Sequence, residues 1–138
     1  STEWLNDSEV EPKQYTTATG PRKTAHDDVY VHRPKADRNG NVHVGLINER
    51  LELGLYWKFP RREIPIVNQW QHFHRGTFVT GIEPGNCSVL GRAWNRKHRT
   101  LEHIEPGKVR DFHIEIGVLD GLKEIRTFER ELKRGTGG

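Results

Sequence analysis

The chain has no methionine, a single cysteine and no apolar run long enough to cross a bilayer. With Cys87 alone no internal disulfide can form, and no stretch has the layout of a signal peptide. These absences argue against a disulfide-stapled secreted domain and a helical membrane protein, and they lead us to expect a cytoplasmic protein with no membrane partner. The missing methionine fits either removal of an initiator before Ser1 or a chain that is a piece of something larger. No HExxH, CxxC, nucleotide fingerprint or phosphate-cradling glycine loop occurs, so no cofactor and no metal are expected. Nor is there an internal repeat or a low-complexity tract. Apolar residues are scarce, at 33% against 30% charged, and mean hydropathy is −0.84. A core built from so little must be economical, or shared with further sequence.

What is present suits one domain, since 138 residues is too short for two comfortable ones. The net charge of +3 comes from 22 basic and 19 acidic residues whose signs are interspersed. That pattern argues against a nucleic-acid partner. Residues 1–26 show no sustained period and read as an irregular lead-in. From Asp28 onward, "VYVHR" (29–33), "VHVGLIN" (42–48), "LELGLYWKF" (51–59), "IVNQWQHF" (66–73), "TFVTGIEP" (77–84) and "VRDFHIEIGVL" (109–119) alternate with period two. Asn39-Gly40 is a turn signal that predicts a hairpin of 29–33 with 42–48. Residues 91–108 read as a long polar excursion with a short strand near 101–104. After Asp120, which can cap a helix, Leu122, Ile125, Phe128 and Leu132 recur at helical spacing. The bottom-up expectation is an antiparallel β-sandwich, or half of one, closed by a single helix.

Chemistry could reside in few places. Glu83 ends an alternating strand and precedes Pro84, which restricts its backbone to the extended region and so aims the side chain. Beside Trp70 or Phe73 on a neighbouring strand its carboxylate would be partly desolvated, as a general base requires; the plainer reading is a surface glutamate entering a turn. "NQW" (68–70) joins two amides to an indole, a combination that holds sugars by ring stacking and hydroxyl bridging. Equally, Trp70 can be a core anchor with Gln69 on the opposite strand face. "HFH" places His72 and His74 on one strand face, able to ligate zinc only with partners that spacing does not reveal, so packed or solvated histidines are the simpler account. "GRAWNRKHR" (91–99) is the one basic cluster with an aromatic; within it Arg92 could clamp an acidic or hydroxylated ligand near Glu83.

The ordered series formed by "NQW", "GIEPGNC", "GRA", "LEHIEPGK" and "EIGVLDG" within 64–121 resembles the C-terminal stretch of aldose 1-epimerase (galactose mutarotase)-like proteins of a less characterised branch. Residues 28–59 extend the likeness. The resemblance implies an all-β, galactose mutarotase-like antiparallel β-sandwich, here its C-terminal half with one short C-terminal helix. It divides the chain into a 1–26 lead-in and a partial epimerase-like β domain at 27–138. It also implies interconversion of sugar anomers by acid/base ring opening, with Glu83 as the base and Gln69, Trp70, Asn86 and Arg92 as substrate contacts. The expected partner is a hexose or related sugar, without metal or nucleotide. Family domains run to about twice this length, and the family's acid histidine lies in a His-x-Asn-x-Gly segment that none of the eight histidines here matches. The alternative is a non-catalytic carbohydrate-binding β module. Half a sandwich would also expose a sheet face or edge, so self-association or pairing with a missing N-terminal half is expected.

Overall fold

The computed structural model describes residues 2–4, 15–23 and 27–136. Along the chain run β1 (Thr2–Trp4), β2 (Asp28–His32), β3 (Asn41–Asn48), β4 (Leu53–Pro60), β5 (Ile66–His74), β6 (Thr77–Gly85), α1 (Gly91–Lys97), β7 (Glu115–Asp120) and α2 (Leu122–Thr136). All strand pairs are antiparallel and form two sheets, ordered β1-β2-β5-β6 and β3-β4-β7. Two compact units follow this division, residues 1–34 with 65–103 and residues 35–64 with 104–138.

In the first unit, β5 and β6 form a hairpin closed by Arg75 and Gly76, whose φ of 89° is a conformation that glycine adopts without strain. Tyr30, Val31, Val67 and Phe73 are its buried apolar residues, and Phe73 stacks on Phe78 at 4.7 Å between ring centroids. Beyond β6, buried Asn95 organises the chain around α1. Its side chain donates to the carbonyls of Gly91 at 2.8 Å and Ser88 at 3.3 Å and accepts from Thr100 Oγ1 at 2.8 Å. Its own carbonyl receives the Thr100 and Leu101 amides.

In the second unit, β3 and β4 form a hairpin across a single 3-10 turn at Glu49–Leu51, and β7 adds to the free side of β4. One face of this sheet takes α2: Leu119, Ile125 and Phe128 are buried together, with Ile47, Tyr56 and Leu132 packed around them. Helix and sheet approach closely because glycines stand where rings must lie. A Cβ at Gly45 would meet Phe128 Cε1 at 2.6 Å, and one at Gly117 would overlap the Tyr56 ring. The register puts Val44, Trp57 and Ile116, and Leu46, Leu55 and Val118, in rows on the opposite face, where Leu46, Leu55, Ile116 and Val118 are exposed.

Four expectations differ from the structure. The Asn39-Gly40 turn exists, with Gly40 at φ 82° and its N–H donating to the Asp37 carbonyl, but it does not join 29–33 to 42–48. β2 pairs with β5, while β3 pairs with β4 in the other sheet, because period-two alternation specifies a strand and not its neighbour. No strand forms at 101–104; the excursion instead contains α1, too short at seven residues to show a helical period. The strand expected at 109–119 begins only at Glu115. Ahead of it, His113 is tied through its backbone N–H and Nδ1 to the Glu63 carboxylate, and Phe112 and Ile114 are exposed. At the start of α2 the Glu124 carboxylate, in the first turn, reaches back to accept the Asp120 N–H at 2.9 Å, while the Gly121 N–H donates to the Glu52 carbonyl. Within the lead-in, Thr2–Trp4 forms β1 on the edge of the first sheet; residues 5–14 and 24–26 lie outside the described residues.

Candidate functional site

Glu83 stands opposite Asn68 in the β5–β6 ladder. Directly paired residues of antiparallel strands project to the same face, as do alternate residues along a strand. The face carrying Glu83 therefore also carries Gly81, Asn68, Trp70, His72 and His74, with Val29 and Val31 of β2. Gly81 is the cross-strand partner of Trp70. With no side chain at 81, β6 puts no Cβ of its own opposite the half-buried indole, and the Glu83 side chain folds back over the glycine: a Cβ there would meet Glu83 Oε1 at 2.8 Å. A carboxylate is thus held one pair-width from a half-buried tryptophan, and the residue itself is exposed.

The other side of Trp70 is also built. Its Nε1–H donates to Asp27 Oδ1 at 3.0 Å, and the same oxygen accepts from His72 Nδ1 at 2.7 Å. The bond from His72 and then that from Trp70 hold the Asp27 carboxyl below its ordinary value. An ionised carboxylate only accepts, so the network assigns the proton to His72 Nδ1. The His72 and Trp70 ring centroids are 6.1 Å apart. Asn68 adds a polar group on this face: its Nδ2 donates to the Cys87 carbonyl at 3.3 Å, while its buried Oδ1 has no hydrogen-bond partner among the described residues.

The remaining sequence-derived candidates sit elsewhere. Gln69 lies on the opposite face of the sheet, buried, with its Oε1 against His32 Nε2 at 2.9 Å and its Nε2 donating to the Tyr15 carbonyl at 3.0 Å. Both ends of the amide are occupied in tying residue 15 to the sheet, so the structure does not bring it to Glu83. Burial lowers the His32 pKa, against the opposing effect of the Gln69 bond. Asn86 follows β6 and donates to Glu102 Oε2 at 3.1 Å. Arg92 is exposed on α1, and among the described residues no ion pair joins it to Glu83, so the expected clamp is not formed. His72 and His74 share a face as expected, but no group of three or more His, Cys, Asp or Glu side chains is placed to hold a metal among the described residues. The Asp27–His72 pair escaped sequence reading because 45 positions separate its members; the "HFH" pattern marked the histidine without its partner.

A concavity of about 430 Å³, between α2 and its own sheet, is lined by Tyr56, Lys58, Glu115, Lys123 and Glu124 among others. Three of its polar groups engage one another. The Tyr56 hydroxyl donates to Glu115 Oε1 at 2.7 Å and Lys58 lies 3.9 Å from Glu115 Oε2, which leaves the Trp70 face as the better candidate.

A crystal structure of a protein proposed to be an aldose 1-epimerase, from Klebsiella pneumoniae subsp. pneumoniae MGH 78578, matches 91% of this chain with a TM-score of 0.84 at 24% identity. That likeness establishes the fold as galactose mutarotase-like, mostly β with two antiparallel sheets; the chain spans 33% of the other protein's length. No curated protein matches the chain. Residues 2–118, most of the sequence, match the family described as a domain of unknown function (DUF4432), and the chain belongs to that family.

Proposed function

We propose that the chain is a carbohydrate-binding, aldose 1-epimerase-like domain, its C-terminal part at 27–138, in which Glu83 is the base of anomer interconversion. The observation that carries this reading is the shared face of Glu83 and Trp70 with glycine opposite the indole. An aromatic ring packs its accessible part on the C–H face of a sugar ring, and a carboxylate at its edge can accept the anomeric hydroxyl proton. Trp70 is the platform, Asn68 and Asn86 are the nearby amides of the β5–β6 end, and Gln69 supports the sheet from behind. The fold likeness to a protein proposed to be an aldose 1-epimerase supports the substrate class. The exposed Leu46, Leu55, Ile116 and Val118 support the expected self-association or pairing with further sequence.

Polarimetry of freshly dissolved α-D-glucose and α-D-galactose tests the reading. Glu83→Gln keeps the shape but removes the proton acceptor, so catalysed mutarotation falls about 10²-fold or more while sugar binding persists. A non-catalytic carbohydrate-binding module would instead show binding that Trp70→Ala removes, and no acceleration by the wild-type chain. Absence of both acceleration and binding overturns the reading.

A further inference from the structure

We propose that the segment around α1 is a contact site for single-stranded nucleic acid, in which the exposed ring of His98 stacks a base and Arg92, Arg96, Lys97 and Arg99 take the adjoining phosphates. The assignment stands apart from the carbohydrate reading and uses none of the residues on the Glu83 face.

Charge is the first observation. Over the whole chain the signs are interspersed, but here they segregate: no Asp or Glu occurs from Pro84 to Leu101, while Arg92, Arg96, Lys97 and Arg99 fall within eight positions. All four are exposed, and among the described residues no ion pair engages any of them. Glu102, the acid that ends the run, accepts from Asn86 Nδ2 at 3.1 Å.

The second observation is an aromatic stack beside those cations. The Trp94 and His98 rings lie face to face, with centroids 3.9 Å apart and planes 19° from parallel. His98 Nδ1–H donates to the Trp94 carbonyl at 2.9 Å, which fixes the orientation of the imidazole. Trp94 is half-buried and His98 exposed. The stack therefore ends in a ring whose outer face meets solvent, and a base adds to it as the next layer.

Helical geometry sets the cations around this stack. Buried Asn95 marks the inward side of α1, so at about 100° per residue Ala93 and Lys97 face outward, both exposed. Trp94 and His98 flank them on one side; Arg92 and Arg96, one turn apart, flank them on the other. A strand leaving a base on His98 crosses Lys97 and reaches the two arginines within a helix diameter of about 10 Å. Cations set in series suit the repeating charge of a phosphate backbone. Arg99 then turns the chain at φ 57°, a conformation glycine takes without strain, and its N–H rests on the Arg96 carbonyl at 3.2 Å. An acidic peptide or an anionic membrane would satisfy the cations but has no flat ring to lay on His98.

Fluorescence anisotropy of a labelled single-stranded deoxythymidylate dodecamer with the whole chain tests the proposal. Affinity is expected to fall with salt, with a log–log slope of about −2 to −3 for three or four phosphates. Arg92→Gln and Arg96→Gln each flatten that slope by about 0.7. His98→Ala weakens binding about fivefold or more with the slope unchanged, whereas His98→Phe, which keeps a ring, retains the affinity. Absence of binding at tens of micromolar protein and about 50 mM salt overturns the proposal. So does binding that His98→Ala leaves within about twofold, or polyglutamate or anionic phospholipid vesicles bound as tightly as the oligonucleotide; those results give the cations to an acidic peptide or a membrane. Should His98→Ala fail to fold, the wild-type protein supplies the readout: the His98 ring-proton NMR signals move upfield on adding the dodecamer, as stacking requires, and their constancy overturns the proposal.

Discussion

Glycine 81 is the residue on which the geometry of the site turns. Its backbone is ordinary strand, so alanine there brings no conformational strain; the added Cβ meets only the tip of the Glu83 side chain. That tip is flexible and moves at small cost, but it leaves the position beside Trp70. Gly81→Ala is therefore expected to change the melting temperature by little while mutarotation falls in parallel with Glu83→Gln. Equal activity in Gly81→Ala and wild type would show that the folded-back carboxylate is not the working one. The places of Glu83 near the end of one strand and Trp70 within another were legible in the sequence because alternation, prolines and tryptophans are local signals. Gln69 was misleading for the same reason: its neighbour in sequence is Trp70, yet alternation sends it to the other face, where Tyr15 and His32 take its amide.

At the scale of elements, α1 is held by one side chain more than by its own helical ladder. A seven-residue helix is marginal by itself, and Leu90 contributes no side-chain cap. Asn95 supplies the missing organisation by serving the carbonyls of Ser88 and Gly91 and the hydroxyl of Thr100. Asn95→Ala removes these bonds around buried Ser88, although Gly91 and Thr100 are exposed and the Thr100 hydroxyl keeps the Asn95 carbonyl as acceptor, with an expected loss of about 1–2 kcal/mol in denaturant unfolding. A loss under roughly 0.5 kcal/mol would mean that water replaces the amide at no net cost. The seat of α2 follows a different logic, in which glycines at 45 and 117 admit the Phe128 and Tyr56 rings. The helical period of Leu122, Ile125, Phe128 and Leu132 was plain in the sequence, whereas the glycines that receive the helix lie in strands whose pairing no local pattern discloses.

For the whole molecule, acid sensitivity is expected in two stages. Burial first, opposed by the Gln69 bond, places the folded His32 pKa below its ordinary 6.5. The unfolded chain then binds the proton more readily, so the stability associated with neutral His32 is complete above that value and is lost as pH falls below it. The carboxyls of Asp27, Asp37 and Glu63 are lowered from ordinary values of 3.8, 3.8 and 4.5, mainly by bonds from the His72 side chain, the Asn41 N–H and the His113 N–H respectively. Their contribution is present above those values and disappears as pH falls through the lowered ones, and the exposed Asp27 contributes least of the three. Melting temperatures recorded from pH 8 to pH 3 are expected to decline first below about 6.5, and His32→Gln to remove that first decline. An unchanged profile in the variant would assign the early loss to other groups. By itself the sequence marked most of the strands, β2 to β6 and the end of β7, and the C-terminal helix, because alternation, helical period and proline constraint act over a few positions. Only the tertiary structure decided that β2 joins β5 rather than β3, that Glu83 shares the face of Trp70 rather than that of Gln69, and that Asp27 meets His72 and Trp70. Those outcomes depend on which strands become neighbours, and pairing energy between distant segments leaves no local mark on the chain.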